Sequence, residues 1–320
     1  MIYGFGDYRY ELVEGWGKNI PHEFGLQSVP GVYVDKYDHV NILSRSNPPI
    51  IVLSTDGEVL ETWGEGILDR PHGMDMDEDG NIYIVDMEVQ LMYVFNAKRE
   101  IIMTLGERGV KSETGANKKD YRTVKQSAGP FNYPTHLTKA PDGSFYATDG
   151  YGNARVHKFN PDGSYAFSWG EPGVQPGQFM LPHQVLIHND IVYVADRGND
   201  RIQLFDLDGN FLDQWTDFAR PAAMCIRDGL MYVGECKQTV TFDDAPSRIS
   251  IVDLNGQLVS RLGSLMHMYP KDRLSILPKC KYRCIHGLSV DSEGSIYVTE
   301  VGQQHPDDYF AIRKYRRVSE

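Results

Sequence analysis

Three histidines stand at the same position of a sequence unit that recurs along the chain: His72, His183 and His286. Imidazole is the commonest side-chain ligand of transition metals in proteins. Three such ligands hold a zinc ion and leave its fourth position open, which is the arrangement behind Lewis-acid and hydroxide chemistry. The pattern therefore predicts a transition-metal centre. The alternative is that the three imidazoles line a channel and hydrogen-bond water.

The unit is clearest in residues 181–205, LPHQVLIHNDIVYVADRGNDRIQLF. An alternating run, a turn at Asn189-Asp190 and two further β-rich runs predict three short strands. Each copy begins at a proline or its equivalent, turns at an acidic residue, and ends its second strand near an acidic residue or a serine. The six sets of landmarks are Pro30, Asp38, Ser44; Pro71, Asp79, Asp86; Pro134, Asp142, Asp149; Pro182, Asp190, Asp196; Pro221, Asp228, Glu235; and Ile285, Glu293, Glu300.

A fourth β-rich run follows five of the units and ends on a hydrophobic residue, as at Trp63-Gly64. The sixth unit lacks this run, and residues 8–17 resemble it. A repeat of about 40–50 residues with four strands is typical of a β-propeller. The sequence thus predicts an all-β, NHL-like six-bladed β-propeller with four antiparallel strands per blade and almost no helix. We expect one domain over residues 1–320, in which residues 8–17 complete the blade formed by 284–318 and close the ring.

Propeller geometry would bring the three histidines together. They fall in blades 2, 4 and 6, each directly after the residue that starts the innermost strand, where blades 1, 3 and 5 have Gly31, Thr135 and Ala222. Neighbouring blades of a six-bladed ring differ by about 60°, so equivalent positions on alternate blades converge on the axis about 120° apart. Three converging imidazoles would form one face of a metal site.

Residues at the end of the second strand lie beside the predicted histidine layer, because the two strands run antiparallel. The acidic residues there are expected mainly to accept hydrogen bonds from loop amides. Just beyond them the repeat is broken by Arg45 in blade 1, Tyr151 in blade 3 and Arg197 in blade 4. Two guanidiniums and a phenol around a metal suit a carboxylate-bearing small-molecule substrate and supply a base.

The net charge of −12 argues against nucleic-acid binding, which requires a basic face. No stretch of 18 apolar residues is present, so no membrane span is expected. No secretory signal is visible at the N-terminus, which favours a cytoplasmic location, although a mature periplasmic or secreted form would look the same. The composition says nothing of oligomeric state.

Four cysteines are present, Cys225, Cys236, Cys280 and Cys284. Without a secretory signal we expect free thiols. Residues 107–131 form a polar, lysine-rich insertion between blades, which we expect to be a mobile or capping loop.

Residues 131–205 resemble the catalytic domain of peptidyl-α-hydroxyglycine α-amidating lyases, in PTHLTKAPDGSFYATDGYGNARVHKF and in LPHQVLI with VYVADRGNDRIQLF. The resemblance extends more loosely to RPHGMDMDEDGNIYIVD and IHGLSVDSEGSIYVTE. That family has a six-bladed propeller with zinc on three histidines. The resemblance implies His72, His183 and His286 as the zinc ligands. It also implies catalytic roles for Tyr151 in the DGY motif and for Arg197 in the DR motif.

The resemblance implies a reaction as well. The family cleaves the N–C bond of a carbinolamide to release an amide and glyoxylate, without a redox cofactor. Tyr151 would remove the hydroxyl proton, while Arg197 and Arg45, which also matches a family arginine, would neutralise the substrate carboxylate.

Three positions depart from the family pattern. Gly287 replaces an aspartate that binds a structural Ca²⁺ ion, which puts that ion in doubt. Cys284 replaces a methionine, and Gly152 replaces a cysteine, so the family's disulfide at that place is absent.

Two other classes of function stay open. The chain could be another metal-dependent propeller enzyme, such as a lactonase or a streptogramin-inactivating lyase. It could also be a non-catalytic NHL scaffold that binds protein or RNA. A histidine-rich centre disfavours the lactonase, for which carboxylate-rich calcium coordination is expected, and the acidic charge disfavours the RNA scaffold.

Overall fold

The computed structural model describes residues 2–26, 28–236, 247–263, 284–301 and 311–318. These residues form five four-stranded sheets and one five-stranded sheet, all antiparallel. The chain is a six-bladed β-propeller, as the repeat predicted. Helix is confined, in the described residues, to three short 3₁₀ turns at His22–Phe24, Tyr121–Thr123 and Arg197–Asn199. None of these is long and apolar enough to cross a membrane.

By contacts, the chain divides into two compact units, Gly64–Pro221 and Met1–Trp63 with Ala222–Glu320. The first unit holds blades 2, 3 and 4. Their strands are β7 (Pro71–Met76), β8 (Ile82–Asp86), β9 (Leu91–Phe95) and β10 (Ile101–Leu105); β11 (Pro134–Lys139), β12 (Phe145–Asp149), β13 (Arg155–Phe159) and β14 (Tyr165–Trp169); and β15 (Pro182–His188), β16 (Ile191–Asp196), β17 (Arg201–Phe205) and β18 (Phe211–Trp215). The expectation of a single domain over 1–320 stays a prediction.

The second unit holds blades 1, 5 and 6. Their strands are β3 (Gly31–Val34), β4 (Val40–Leu43), β5 (Ile50–Leu53) and β6 (Val59–Trp63); β19 (Pro221–Arg227), β20 (Leu230–Glu235), β21 (Arg248–Asp253) and β22 (Leu258–Leu262); and β23 (Cys284–Val290), β24 (Ile296–Val301) and β25 (Ile312–Val318), with β1 (Ile2–Phe5) and β2 (Tyr8–Leu12).

The N-terminal strand closes the last blade, as predicted. β2 pairs antiparallel with β25, from Arg9 opposite Val318 to Leu12 opposite Tyr315. An unpredicted fifth strand, β1, folds back onto β2 through a tight turn that contains Gly6 at φ +59°. β2 ends well before Trp16, whose buried ring packs in the core beside blade 1 and donates a hydrogen bond from Nε1 to the carbonyl of Thr55.

Apolar faces of neighbouring blades pack together within each unit. Between blades 2 and 3, Val85 and Val94 meet Leu137 and Ala147. Between blades 3 and 4, Tyr146 and Val156 pack with others against Val194 and Phe205. The innermost and second strands are buried along most of their length because other elements cover both of their faces. Burial of these strands fixes the register on which the site depends.

One prediction about the cysteines was wrong. Cys236 and Cys284 form a disulfide with their Cα atoms 4.3 Å apart, whereas Cys225 is a free thiol. The sequence separation of 48 hides their proximity: Cys236 follows β20, Cys284 begins β23, and these strands belong to neighbouring blades that contact each other. Cys280 lies outside the described residues.

Asp75 in β7 is a half-buried carboxylate, and desolvation by the surrounding protein raises its pKa to about 6. Thr138 Oγ1 donates to Oδ2 at 2.5 Å and the Met76 amide donates to Oδ1 at 2.8 Å, and both bonds only partly offset the burial. The folded-state pKa lies above the usual 3.8, so the folded protein prefers Asp75 protonated. Its contribution to the free energy of unfolding is therefore fully present below pH ~3.8 and is lost as pH rises through about 6.

Asp75→Asn removes the charge; its Oδ1 can still accept the Met76 amide, and its Nδ2 can donate to the Thr138 hydroxyl oxygen, which then acts as the acceptor. We expect the free energy of unfolding at pH 8 to rise by about 1–3 kcal/mol, and the gain to vanish towards pH 4. Urea unfolding at several pH values measures it, with Asp79→Asn in an exposed turn as control. A gain that is the same at pH 4 and pH 8 would contradict this account of Asp75.

Candidate metal centre

A β-bulge lies at each of the three predicted ligand positions. Pro71 pairs with Asp86 and Gly73 with Val85, so the register of the ladder shifts by one residue at His72. The same interruption surrounds His183, between Pro182 and Gln184, and His286, between Ile285 and Gly287. A bulge interrupts the ladder locally and re-aims a side chain out of the normal alternation. The first strand of blade 1, in contrast, pairs without interruption.

His72, His183 and His286 form a group that could hold a metal ion. All three are buried, and one ligand nitrogen from each lies within 4.8 Å of the other two. Tetrahedral ligands 2.0–2.1 Å from zinc would be about 3.3 Å apart, so binding would draw the three nitrogens closer together. The predicted convergence of these three side chains is confirmed; the identity of the metal stays a proposal.

Two of the imidazoles are oriented for coordination by backbone carbonyls. His72 Nδ1 lies 2.8 Å from the Thr135 carbonyl oxygen, and His286 Nδ1 lies 2.7 Å from that of Pro30. A ring N–H that donates to a carbonyl fixes the tautomer in which Nε2 carries the lone pair. The donor set and its outer hydrogen bonds therefore fit a transition metal bound through nitrogen.

Tyr151 lies against this group. Its hydroxyl is 3.3 Å from His72 Nε2, and its ring meets those of His72 and His183 edge-on, with centroids 5.2 and 6.0 Å away. The loop that carries it follows β12 and runs against the start of β15: a Cβ on Gly150 would lie 2.2 Å from the Pro182 carbonyl oxygen. Tyr151 can therefore exchange a hydrogen bond with a substrate atom near the metal position.

Arg197 is the second predicted site residue at this place. It begins the 3₁₀ turn after β16, is only 3% exposed, and donates from Nη1 to the Tyr151 hydroxyl at 3.3 Å. Burial lowers the pKa of Arg197, with the nearby Arg220 charge adding to the effect. Arg45 follows β4 and its Nη1 donates to Ser28 Oγ at 3.3 Å. The catalytic roles of Tyr151, Arg197 and Arg45 stay predictions.

The acidic residues after the second strands are mainly structural, as expected. In blades 2, 3 and 4 each accepts hydrogen bonds from backbone N–H groups of the loop that leads into the first strand. The pairs are Asp86 with Asp69 and Arg70, Asp149 with Asn132, and Asp196 with Met180. They hold the loops that precede the first strands of blades 2, 3 and 4, and the first strands of blades 2 and 4 carry His72 and His183.

The insertion 107–131 supports the Tyr151 loop, a contact that the sequence did not reveal. Thr114 Oγ1 donates to the Gly152 carbonyl at 2.5 Å, and Asn132 Nδ2 donates to Thr114 Oγ1 and to the Ser112 carbonyl at 3.0 Å. Gly152 also donates its amide to the Asn132 carbonyl at 2.9 Å. Thr114 and Asn132 thus hold the Tyr151 loop at Gly152, the position where the resembled family has a cysteine.

Gly152→Ala should disturb this support. Its Cβ would lie 2.3 Å from Asn132 Oδ1 and 2.8 Å from the Asn132 carbonyl oxygen, and Asn132 is fixed by its own hydrogen bonds. We expect a loss of about 1–3 kcal/mol in unfolding free energy, as for other overpacked sites, and a lower turnover because Tyr151 is adjacent. Thermal unfolding and an activity assay measure both effects.

The matched control is Gly129→Ala in the same insertion, where a Cβ would meet nothing within 4 Å and φ is ordinary. We expect that variant to behave as the wild type. Wild-type stability and turnover for Gly152→Ala would show that the Asn132 contact does not hold the loop.

Two residues near Arg197, Arg220 and Tyr121, were not predicted from the sequence as site residues. Arg220 directly precedes β19, and its Nη1 donates to the Tyr121 hydroxyl at 3.3 Å; Tyr121 belongs to the insertion. The only sequence signal was the position of Arg220 beside Pro221, a landmark of the repeat.

The residues do not fit the family's structural Ca²⁺ ion. A Cβ on Gly287 would lie 2.4 Å from Thr299 Oγ1 and 2.9 Å from the Gly31 Cα, so no carboxylate can be accommodated there. The nearby Met74 carbonyl oxygen is 3.3 Å from His136 Nε2. Burial lowers the pKa of His136 to about 4, so this ring is neutral and is not a counter-charge.

Comparison with known proteins finds no matching family model. Peptidyl-glycine alpha-amidating monooxygenase A of Xenopus laevis is 32% identical over 174 residues, 52% of this chain and 17% of that protein. The chain therefore spans less than half the length of the first curated amidating proteins that it matches. Peptidyl-alpha-hydroxyglycine alpha-amidating lyase 2 of Drosophila melanogaster is 25% identical, over 92% of this chain and 73% of its own length.

The mouse NHL repeat-containing protein 3 is 28% identical over 316 residues, which cover 94% of this chain and 84% of that protein. Among solved structures, a streptogramin B lyase superposes with a TM-score of 0.57 over 98% of both chains at 12% identity. At that identity the likeness concerns the fold alone. The homologues of this six-bladed β-propeller include peptidyl-α-hydroxyglycine α-amidating lyases and NHL repeat proteins.

Proposed function

We propose that this chain is a zinc-dependent lyase that cleaves a small α-hydroxy amide, of the N-acyl-α-hydroxyglycine type, to an amide and glyoxylate. The observation that carries the proposal is the group of three buried histidine nitrogens within 4.8 Å, with the Tyr151 hydroxyl beside His72. The names of the amidating relatives support the reaction class.

Zinc bound by the three histidines would supply Lewis-acid chemistry, which lowers the pKa of a hydroxyl group held at its open position. Zinc suits three imidazoles, and cleavage of a carbinolamide to two closed-shell products needs no redox-active metal. His72 and His286 would present Nε2, because their Nδ1 atoms lie at hydrogen-bond distance from carbonyl oxygens.

Tyr151 would move the proton. In its phenolate form it would take the substrate hydroxyl proton as the C–N bond breaks, the bonding electrons would pass to nitrogen, and the hydroxyl carbon would become the aldehyde of glyoxylate. The proton is then delivered to the amide nitrogen, so atoms and charge balance. Arg197, which donates to the same phenol oxygen, would stabilise negative charge on it during the transfer.

Arg197 and Arg45 would neutralise the substrate carboxylate, as the resemblance implies. A guanidinium suits this task because it binds a carboxylate through two parallel hydrogen bonds. The partner we propose is therefore a small carboxylate-bearing molecule and neither nucleic acid nor membrane. The predicted cytoplasmic location stays a prediction, and the Cys236–Cys284 disulfide favours an oxidising compartment instead.

Glyoxylate release tests the proposal. Purified chain, stripped of metal and reloaded with one equivalent of zinc, is incubated with N-benzoyl-α-hydroxyglycine, and glyoxylate and benzamide are quantified by chromatography. We expect both products in equal amounts, at a rate that falls to the uncatalysed rate without metal. The proposal would be contradicted if the zinc-loaded protein released glyoxylate no faster than the uncatalysed reaction does.

The second candidate is a non-catalytic NHL scaffold. It is favoured by the alignment with the mouse NHL repeat-containing protein 3, which covers 94% of this chain. A scaffold has no requirement for a metal. Protein that binds no zinc and has the same thermal stability with and without added zinc would favour it over the lyase.

A further inference from the structure

Arg220 has a strained backbone at the entrance to blade 5. Its φ of +54° lies in the left-handed region, which side chains other than glycine rarely adopt, and proline follows directly. Asp200 Oδ1 accepts the Arg220 amide at 2.7 Å and holds the backbone in this form. Asp200 in turn ends the 3₁₀ turn that carries Arg197. Strain of this kind persists where surrounding contacts enforce it, often at ligand-binding sites.

The Arg220 side chain is directed by the insertion. Its Nη1 donates to the Tyr121 hydroxyl at 3.3 Å, and its guanidinium carbon is 5.9 Å from the centre of the Tyr121 ring. Its Nε is buried and has no hydrogen-bond partner among the described residues. A buried donor without a partner costs free energy, which a bound acceptor would recover.

Arg220 lies beside the 3₁₀ turn that begins at Arg197, because its amide is bonded to Asp200 at the end of that turn, and the Arg220 charge contributes to lowering the pKa of Arg197. Tyr121 and Tyr151 also act on Arg197 electrostatically. Two guanidiniums near each other in partly buried surroundings repel, and an anion between them relieves the repulsion. Both cations, both phenols and His72 belong to the unit Gly64–Pro221.

We propose that Arg220 and Arg197 together form a carboxylate subsite, and that Tyr121 positions Arg220 in it. Arg220 is then a specificity-determining residue that distinguishes substrates with a free carboxylate from neutral ones. The assignment deepens the proposed lyase function and rests on it for the identity of the substrate, but the anion subsite itself can be measured without turnover.

Calorimetric binding of two unreactive probes to the zinc-loaded full chain tests this. Hippurate carries the carboxylate, and hippuramide replaces it with a neutral amide. We expect wild type to prefer hippurate, and Arg220→Gln to weaken hippurate binding about 10- to 100-fold, the usual loss for a charged hydrogen bond, while hippuramide binding stays unchanged. Tyr121→Phe should weaken hippurate binding to a smaller extent, because Arg220 keeps its charge but loses the hydrogen bond to the Tyr121 hydroxyl that positions its side chain.

The matched control is Arg99→Gln. Arg99 also has a positive φ, +68°, but lies in the turn after β9. The substitution Arg99→Gln removes one positive charge at a position away from the site. We expect this variant to bind both probes as the wild type does. If Arg220→Gln unfolds, Arg220→Gly serves in its place, since glycine adopts φ +54° without strain, and the same selective loss of hippurate binding is expected.

Equal affinity of wild type for the two probes, or equal losses for both probes in the Arg220 variants, would overturn the subsite. The two proposals fail separately. Arg220-dependent hippurate binding without glyoxylate release supports the subsite and removes the lyase reaction, whereas glyoxylate release that is insensitive to Arg220→Gln retains the reaction and removes the subsite.

Discussion

Alanine at His72, His183 and His286 together is expected to reduce bound zinc from about one ion per chain to none and to abolish glyoxylate release. The three imidazoles are buried, and their ligand nitrogens lie within 4.8 Å of one another, so the site loses all its described nitrogen donors at once. A structural zinc site binds with about 10–16 kcal/mol, and a site stripped of these ligands would not retain the ion through dialysis. Mass-spectrometric metal analysis of dialysed protein measures the change.

The control is His188→Ala, which removes a partly exposed histidine from the same strand as His183. It should keep both zinc and turnover. Circular dichroism of the triple variant separates loss of metal from loss of fold. Full zinc content in a folded triple variant would show that the metal lies elsewhere, and the proposed centre would then be wrong.

Tyr151→Phe has the second large expected effect. The variant keeps the ring, which packs edge-on against His72 and His183, and removes only the hydroxyl that contacts His72 Nε2 and Arg197 Nη1. We expect zinc content to be unchanged and kcat to fall by about 10²–10⁴, the usual contribution of a general base. Steady-state kinetics of glyoxylate release measure it, and the loss should appear in kcat more than in KM.

Tyr146→Phe is the matched control. Tyr146 is a fully buried tyrosine of the same blade whose hydroxyl donates to the Leu207 carbonyl at 2.8 Å. Removal of that hydrogen bond should lower stability and leave kcat unchanged. If Tyr151→Phe turns over as the wild type does, Tyr151 has no part in proton transfer.

Much of the fold followed from the sequence because the repeat is periodic. The landmarks at Pro71, Pro182 and Ile285 mark strands that start at Pro71, Pro182 and Cys284 in the structure. Alternation of side chains along these strands fixes which face is buried. The convergence of three imidazoles was predictable for the same reason, since equivalent positions of a ring are related by rotation.

Contacts between segments far apart in sequence were not predictable in this way. The Cys236–Cys284 disulfide joins two neighbouring blades, and a separation of 48 residues along the chain gives no sign that the two cysteines meet. The β-bulges at the histidines depend on how each first strand meets its partner, and a one-residue bulge leaves no mark in the alternation. Arg220 and Tyr121 meet through the insertion, whose path no repeat specifies.

Anomalous diffraction at the zinc edge, from crystals of the zinc-loaded chain, tests the central assignment most directly. The account predicts one strong peak that lies about 2.0–2.1 Å from a nitrogen of each of His72, His183 and His286, with a fourth position open beside the Tyr151 hydroxyl. A peak at any other group of residues, or zinc bound by fewer than these three imidazoles, would contradict it.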